Sequence, residues 1–322
     1  MEMSYRPLGR CGTRVSTLGL GGWITFGGSL KEEALADRIL HTAFERGINF
    51  FDTADIYAKG ASEEAMGRAL SSLSRHRLVL SSKLFWPMSE DPNDRGLSRK
   101  HIVESVEKSL RRLGTDYLDI YFCHRFDNET PLLETVRAMD DLVRQGKVLY
   151  WGTSEWSGER LREAHDAARA WLAYAPQVEQ PQYSLLARGR FEQDVLPACL
   201  ELGMGTVVWS PLASGLLSGK YDGGIPAGSR LERHEWLHRS LLKPENLERV
   251  RRFGELAARR GLGRVPLALA WAADRWGVSS VITGATSEEQ LLENLGALDL
   301  KIDGELRGEL EAVFPAGLQA TD

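Results

Sequence analysis

Short apolar runs, each the length of a buried β-strand, alternate with segments of helical periodicity along the chain. Two short extended segments around the glycines at positions 9 and 12 come first and predict an N-terminal β-hairpin. Eight apolar runs follow, and helical patterns separate them, such as residues 31–46 before the run 48–52. Strict alternation of strand and helix predicts an α/β fold, a (β/α)8 TIM barrel that forms a single domain over residues 1–322.

One connection is longer than the others. After the seventh barrel strand pattern, residues 205–209, an irregular stretch rich in glycine and serine continues to about residue 243. Loops of this length inside a compact domain usually carry a function. We therefore expect a cover over a bound ligand rather than an ordinary surface loop.

Two other architectures are alternatives to the barrel. A doubly wound nucleotide-binding sheet would need a glycine-rich loop, and the only candidate, residues 19–22, lacks the full G-x-G-x-x-G spacing and has no helix directly after it. A metal-dependent barrel hydrolase would need a His-x-His pair after the first strand, and residues 20–23 supply none. We set both aside and expect no metal site.

Composition narrows the class of protein. Hydrophobic residues make up 43% and charged residues 26% of the chain, as in ordinary globular proteins. The net charge is −5 and no long basic block is present, so we expect no nucleic-acid partner. Three scattered cysteines favour neither a disulfide framework nor a zinc site. Because the N-terminus has no apolar signal core and no apolar run reaches about 18 residues, we expect a cytoplasmic protein without membrane insertion.

Four ionisable residues stand at or just beyond the ends of predicted strands. Asp52, Lys83 and His124 each close an apolar run, and Tyr57 follows Asp52 in the next loop. In a parallel barrel the carboxyl ends of all strands open onto one face, where catalytic groups gather. A tyrosine beside a lysine can act as an acid near neutral pH, because a nearby ammonium lowers the phenol pKa from its ordinary value of about 10. Structural ion pairs are the alternative explanation for each residue taken alone.

The residues around these four resemble the aldo-keto reductases. The matching text is Gly-Ile-Asn-Phe-Phe-Asp-Thr-Ala at residues 47–54 with Tyr57, then Ser-Lys at 82–83, then His124. Within that superfamily the chain is most similar to the potassium-channel β-subunit branch and its bacterial reductase relatives. That closer resemblance is carried by residues 95–102, 150–154, 209–213 and 278–285.

The resemblance implies an oxidoreductase that converts aldehydes or ketones to alcohols with a nicotinamide cofactor. Tyr57 would protonate the carbonyl oxygen, Lys83 would lower the pKa of Tyr57, Asp52 would pair with Lys83, and His124 would orient the carbonyl. The hydride must come from a cofactor, because no side chain supplies one. The expected partner is a small carbonyl compound.

The resemblance also assigns cofactor contacts. Trp209 would stack on the nicotinamide, and Ser154 and Gln180 would bind its carboxamide. The remaining expected contacts lie after the first and second barrel strands, in the long loop and at the last barrel helix, at Gly22, Trp23, Asp52, Ser210, Pro211, Leu212, Ala213, Lys220, Ser229, Arg230, Gly284, Thr286, Gln290, Glu293 and Asn294. The last five would hold the adenosine end, near a helix start that favours phosphate.

Two departures from the family bear on the cofactor. Glu155 stands where the channel subunits carry arginine and many reductases carry asparagine, and an acidic group there would repel a phosphate. Residues 286–290 offer no basic side chain for a 2′-phosphate, which leaves Arg230 as the nearest cation by homology. We expect NADPH, with NADH left open.

Aromatic residues are expected around the substrate. Trp23 follows the first barrel strand, and Phe85 and Trp86 follow the third. With Tyr57 and His124 they predict an apolar opening suited to aromatic or medium-chain carbonyls. Core or interface packing is the alternative for these residues.

A second functional class stays open. The resemblance to channel β-subunits suggests a cofactor-bound, redox-sensing regulatory subunit of a membrane protein. His124 favours the enzyme, because the channel subunits carry asparagine there and histidine is the stronger oriented donor. The absence of an inactivation-type N-terminal extension also counts against the regulatory class. Assembly into a homo-oligomer is left open.

Overall fold

A two-stranded antiparallel hairpin and a closed barrel of eight parallel strands form the frame of the computed structural model, which describes residues 2–23, 25–30, 32–233 and 241–318. The hairpin strands are β1 (Tyr5–Pro7) and β2 (Arg14–Ser16). The barrel strands are β3 (Leu18–Gly21), β4 (Phe50–Asp52), β5 (Val79–Leu84), β6 (Leu118–Cys123), β7 (Val148–Ser154), β8 (Val178–Gln180), β9 (Gly205–Val208) and β10 (Val278–Thr283). The barrel closes where β10 pairs with β3, with Val281 opposite Leu18.

Alternate residues of each strand fill the barrel interior. Because successive side chains point to opposite faces of a strand, one apolar set faces the axis and the other faces the helices. The interior set forms its own buried cluster of Phe50, Val79, Ile120, Phe122, Val178, Val207 and Ile282. Leu8 and Val15 from the hairpin region belong to the same cluster, so this segment packs onto the barrel interior.

Helices cover the outside of the barrel. Their bounds are α1 (Glu33–Glu45), α2 (Ala61–Leu70), α3 (Arg99–Leu113), α4 (Leu132–Arg144), α5 (Gly158–Ala170), α6 (Leu196–Leu202), α7 (Arg230–Arg233), α8 (Pro244–Arg259), α9 (Arg264–Ala273), α10 (Glu288–Leu295) and α11 (Gly304–Val313). None of the helices in the described ranges is both long enough and apolar enough to cross a membrane.

Helix α3 illustrates how local sequence sets the helix ends. The Ser98 hydroxyl accepts a hydrogen bond from the backbone N–H of His101, and this contact caps the first turn. Gly114 ends the helix with a φ of +64°, which a glycine adopts without strain. The buried face includes Ile102 and Val106, which are one turn apart and pack toward the barrel.

The predicted TIM barrel and its N-terminal hairpin are confirmed. Helix α9 was not predicted. Its residues are buried almost all round, from Val265 to Ala273, so it has no polar face to produce the amphipathic pattern on which the prediction relied.

The long connection after β9 is also present. It contains a 3₁₀ segment at Ala213–Ser218 and the short helix α7, while residues 234–240 lie outside the described residues. Its middle is tied to the body of the protein by an ion pair in which Arg264 donates to Asp222 at 2.6 Å. This half-exposed pair fixes one point of the loop at the start of α9.

Candidate active site

Strand alternation brings six polar side chains to the carboxyl end of the barrel. Each stands two residues beyond an inward-facing position, so it also faces the barrel axis. The interior residues Phe50, Ile120 and Val178 are thus followed on the same face by the polar residues Asp52, Ser81, Lys83, His124, Ser154 and Gln180. All six polar residues are buried.

Asp52 and Lys83 form the innermost pair. Lys83 is fully buried, and its Nζ donates to Asp52 Oδ2 at 2.6 Å and to the backbone carbonyl of Thr53 at 2.8 Å. The other Asp52 oxygen, Oδ1, accepts from Ser81 Oγ at 2.6 Å and from Gln180 Nε2 at 3.0 Å. The carboxylate is held on both oxygens, so the position of the ammonium is fixed as well.

Tyr57 and His124 face this pair. Their ring centroids are 5.8 Å apart with an interplanar angle of 77°, and Lys83 Nζ lies 4.9 Å from the centroid of the Tyr57 ring. Within the described part of the chain, the Tyr57 hydroxyl has no hydrogen-bond partner, and Nδ1 of His124 is buried without one. Unpaired polar atoms at such a place are available to a ligand.

Burial sets the protonation states of these groups. Withdrawal from water raises the pKa of Tyr57 well above its ordinary value, and the Asp52 charge adds to the rise. Burial lowers the pKa of Lys83, which Asp52 opposes. Burial also lowers the pKa of His124 well below its ordinary value, and the charge of Lys83 is the second-largest cause of this decrease. The phenol is therefore protonated and the imidazole neutral.

The direction found for Tyr57 corrects one expectation. The sequence predicted that the neighbouring ammonium of Lys83 lowers the phenol pKa. In the folded protein the loss of water contact is the largest influence and acts in the opposite direction. A protonated phenol remains the form that donates a proton.

Backbone strain is concentrated at the same end of the barrel. Seven non-glycine residues among those described have a positive φ, and only Leu172 lies at an unrelated place. The other six follow the carboxyl ends of β4, β7 and β9, at Ala58, Lys59, Glu155, Ser210, Ala213 and Ser214. Such strain persists where the surrounding structure holds the chain firmly, as functional sites do.

Glu155 joins the loops after β7, β8 and β9. Its Oε1 accepts from the indole N–H of Trp209 at 2.9 Å and from the backbone N–H of Gln182 at 2.5 Å. Its Oε2 accepts from Arg190 at 2.5 Å, so an adjacent guanidinium balances the negative charge. The sequence indicated an uncompensated acidic group that would repel phosphate, and in the fold this group has a cationic partner.

The residues expected to contact a cofactor occupy one continuous arc of the barrel. The strand order is β10-β3-β4-β5-β6-β7-β8-β9, closed into a ring. The expected catalytic residues lie at or just beyond the carboxyl ends of β4, β5 and β6, whereas the expected cofactor contacts other than Asp52 lie at or beyond those of β7, β8, β9, β10 and β3. Gln180 links the two arcs, because its side-chain amide donates to Asp52 while its backbone carbonyl accepts from Ser154 Oγ at 2.9 Å.

The long loop brings a cation to this arc. The Arg230 guanidinium carbon lies 5.1 Å from the centroid of the Trp23 ring, and Trp23 meets Trp209 edge-on at 5.9 Å. No carboxylate of the described residues pairs with Arg230, and burial lowers its pKa.

Lys220 is exposed, and its Nζ lies 4.9 Å from the centroid of the Tyr221 ring. Of the other residues expected here, Ser210 and Leu212 are half-buried, Pro211 and Ala213 are buried, and Ser229 is half-buried.

The expected adenosine segment lies at the start of α10. Asn294 is buried and donates to the carbonyl of Gly284 at 3.1 Å. The backbone and hydroxyl of Thr286 donate to Gln290 at 2.9 and 3.0 Å, and Glu293 is exposed. Gly22 directly follows β3, the strand beside β10, and its backbone carbonyl accepts from Ser62 at 3.4 Å.

Aromatic side chains line the approach to His124. Trp86 lies 6.3 Å from the His124 ring and 5.1 Å from Phe85, both measured between centroids and both edge-on. Trp86 is 38% exposed, so it stands at the mouth rather than in the core. Trp23 meets Trp209 on the side where the cofactor contacts are expected.

With this geometry in place, comparison with known proteins identifies the class. A model of the Aldo/keto reductase family matches residues 17–313. The chain therefore belongs to the aldo/keto reductase family, a family of NAD(P)H-dependent oxidoreductases. It is 45% identical to a protein named probable voltage-gated potassium channel subunit beta from Oryza sativa subsp. japonica, over 99% of each chain. It is 46% identical to a protein of the same name from Arabidopsis thaliana, over 92% of each chain.

Proposed function

We propose that the protein reduces aldehydes or ketones to alcohols with NADPH, and that Asp52, Tyr57, Lys83 and His124 carry out the reaction. One observation supports this most strongly. The Tyr57 hydroxyl lacks a partner among the described residues, while Lys83 beneath it is fully buried and held by Asp52. A structural ion pair alone would not require an unpaired phenol and an unpaired imidazole nitrogen above it.

The side chains divide the work as follows. Tyr57, protonated because of its burial, gives its proton to the carbonyl oxygen as negative charge develops there. Neutral His124 donates a hydrogen bond to the same oxygen and sets its direction. Lys83 stabilises the phenolate that Tyr57 becomes, and Asp52 keeps the ammonium in place. Solvent returns the proton to Tyr57 after the alcohol leaves.

The arc from β7 to β3 fits a nicotinamide dinucleotide. When bound, NADPH supplies the hydride that adds to the carbonyl carbon. Trp209, fixed by Glu155, offers its aromatic face, and Ser154 and Gln180 offer polar groups beside Asp52. Arg230, with no carboxylate partner among the described residues, suits the phosphates. The position of Gly284 is open, since a Cβ there would meet only Thr25 at 3.9 Å.

A regulatory role is the second candidate, and the names of the relatives favour it. Two plant proteins that are 45% and 46% identical to this chain are named probable voltage-gated potassium channel β-subunits. Such a subunit would bind the cofactor and turn over slowly. In this chain His124 supplies the donor that efficient turnover needs, so we favour the enzyme.

The test is a fluorescence titration of the purified protein with NADPH and NADH, followed by loss of NADPH absorbance with 4-nitrobenzaldehyde and methylglyoxal. Tight binding with multiple turnovers is the expected result. Tight binding without turnover across a broad carbonyl panel, with copurification of a membrane protein, would favour the regulatory role. Absence of binding to either nucleotide would contradict the proposal.

A further inference from the structure

Arg125 is a cation beside the site that no carboxylate of the described residues neutralises. One of its terminal nitrogens, Nη1, donates to the carbonyl of His124 at 2.6 Å. Its guanidinium carbon lies 5.7 Å from the centroid of the Trp86 ring, and that ring lies 6.3 Å from His124. The guanidinium thus stands along the aromatic wall by which a substrate reaches His124.

An internal ion pair does not account for Arg125. The acidic neighbour in the sequence, Asp127, is engaged elsewhere, because it accepts from the backbone N–H of Leu97 and the hydroxyl of Thr130, both at 2.7 Å. A half-buried guanidinium has five N–H donors, and one contact to a carbonyl leaves most of them unused. Partial loss of water without an anion is unfavourable, so the position calls for one.

The charge of Arg125 reaches the reacting groups. Burial and the charge of Lys83 are the two largest causes of the lowered pKa of His124, and the charge of Arg125 is the third. It also opposes the rise that burial and Asp52 cause in the pKa of Tyr57. An anion bound at Arg125 would therefore lie within electrostatic range of the carbonyl end of the site.

We infer that Arg125 binds a carboxylate at the far end of the substrate, so that the preferred substrates are aldehydes that also carry an acid group. The inference rests on the proposed function, since Tyr57 and His124 would hold the carbonyl end. A planar guanidinium matches a carboxylate with two parallel N–H bonds, and one cation suits one negative charge better than a phosphate dianion. Phe85 and Trp86 suit a flat ring between the two ends.

A matched pair of aldehydes tests this site. The two compounds are 4-formylbenzoate and its methyl ester, which differ in one negative charge at the end remote from the carbonyl. We expect the wild type to favour the acid in kcat/KM, and the acid-to-ester ratio to fall about tenfold in Arg125→Gln, mainly through KM of the acid. Arg125→Lys should give an intermediate ratio because it keeps the charge without the paired donors.

The control variant is Arg137→Gln. It removes one positive charge from α4, where Arg137 stacks over Trp171 at 5.2 Å, and it should leave the ratio unchanged. Equal ratios in wild type and Arg125→Gln would overturn the carboxylate site while turnover of the ester upholds the reductase. An equal loss with both aldehydes would show that Arg125 acts on the catalytic groups instead. If the wild type reduces neither aldehyde, both the site and the proposed function fail.

Discussion

The indole N–H of Trp209 donates a hydrogen bond to the carboxylate of Glu155 across 2.9 Å. The same carboxylate holds Arg190 and the backbone of Gln182, so one side chain connects the loops after three consecutive barrel strands. Its own backbone is strained, with a φ of +60°. A non-glycine residue held in this conformation indicates that the surrounding contacts determine its position. We conclude that Glu155 fixes the orientation of the Trp209 ring.

Removal of this anchor should weaken cofactor binding. In Glu155→Ala the indole loses its acceptor and Arg190 its partner, so we expect the Kd for NADPH to rise about tenfold, with a smaller rise in Glu155→Gln. The measurement is a fluorescence titration with NADPH. Glu159→Ala, in the exposed first turn of α5, serves as the control and should leave Kd unchanged. An unchanged or lower Kd in Glu155→Ala would show that Glu155 does not position Trp209.

Glu179 should make stability depend on pH. It is fully buried, accepts from Thr153 and from the backbone of Trp156, and burial raises its pKa to about 8. An unfolded glutamate has a pKa of about 4.3, so between these two pKa values the folded protein holds a proton that the unfolded chain releases. The protonated Glu179 therefore makes its whole contribution to the free energy of unfolding below about pH 4. This contribution decreases as the pH rises and is lost at about pH 8.

Replacement of this carboxyl tests the sign. Glu179→Gln keeps the shape of the side chain and removes its titratable proton. Its free energy of unfolding relative to wild type should therefore be higher at about pH 9 than at about pH 5, by on the order of a few kcal/mol. Urea unfolding at both pH values measures the difference. The exposed residue Glu201 provides the control variant Glu201→Gln, for which the difference should stay constant. A constant difference for Glu179→Gln as well would mean that this carboxyl is ionised in the fold at both pH values.

Arg188 should be a major stabilising residue of the C-terminal segment. Its side chain is 3% exposed, pairs with Glu192 at 3.0 Å and Glu311 at 2.8 Å, and donates to the carbonyl of Phe314 at 2.5 Å. Arg188→Met leaves the Glu192 carboxylate, whose side chain is 7% exposed, without its cationic partner, so we expect a loss of about 3–5 kcal/mol in urea unfolding.

The comparison variant is Arg251→Met on α8. Arg251 pairs with Glu248 and Glu255, but its side chain is 58% exposed, and exposed pairs contribute little. It should change stability by less than about 1 kcal/mol. Similar losses in the two variants would contradict the role assigned to burial at Arg188.

Much of the site could be predicted from local sequence. Asp52, Lys83 and His124 close apolar runs, and a parallel barrel gathers strand ends on one face, so their convergence followed from the pattern alone. Ser81, which also holds Asp52, was missed although it stands two residues before Lys83 on the same face of β5. The two-residue alternation of side chains along β5 is the feature from which Ser81 could have been predicted.

The remainder depends on contacts between distant parts of the chain. The partner of Glu155 is Arg190 in another loop, so the sequence showed an acidic group without its compensating charge. The direction of the Tyr57 pKa depends on how deeply the phenol is buried, which local sequence does not encode. The extent of the single domain, residues 1–322, stays a prediction.

The most direct test of the account is the activity of Tyr57→Phe with saturating NADPH and 4-nitrobenzaldehyde, measured beside its Kd for NADPH. The change removes only the hydroxyl, which has no hydrogen-bond partner among the described residues, so the fold and the cofactor contacts should persist. We predict that kcat falls about 100- to 10,000-fold, while Kd stays within about twofold. Turnover at the wild-type rate with unchanged Kd would contradict the role of Tyr57 as the proton donor.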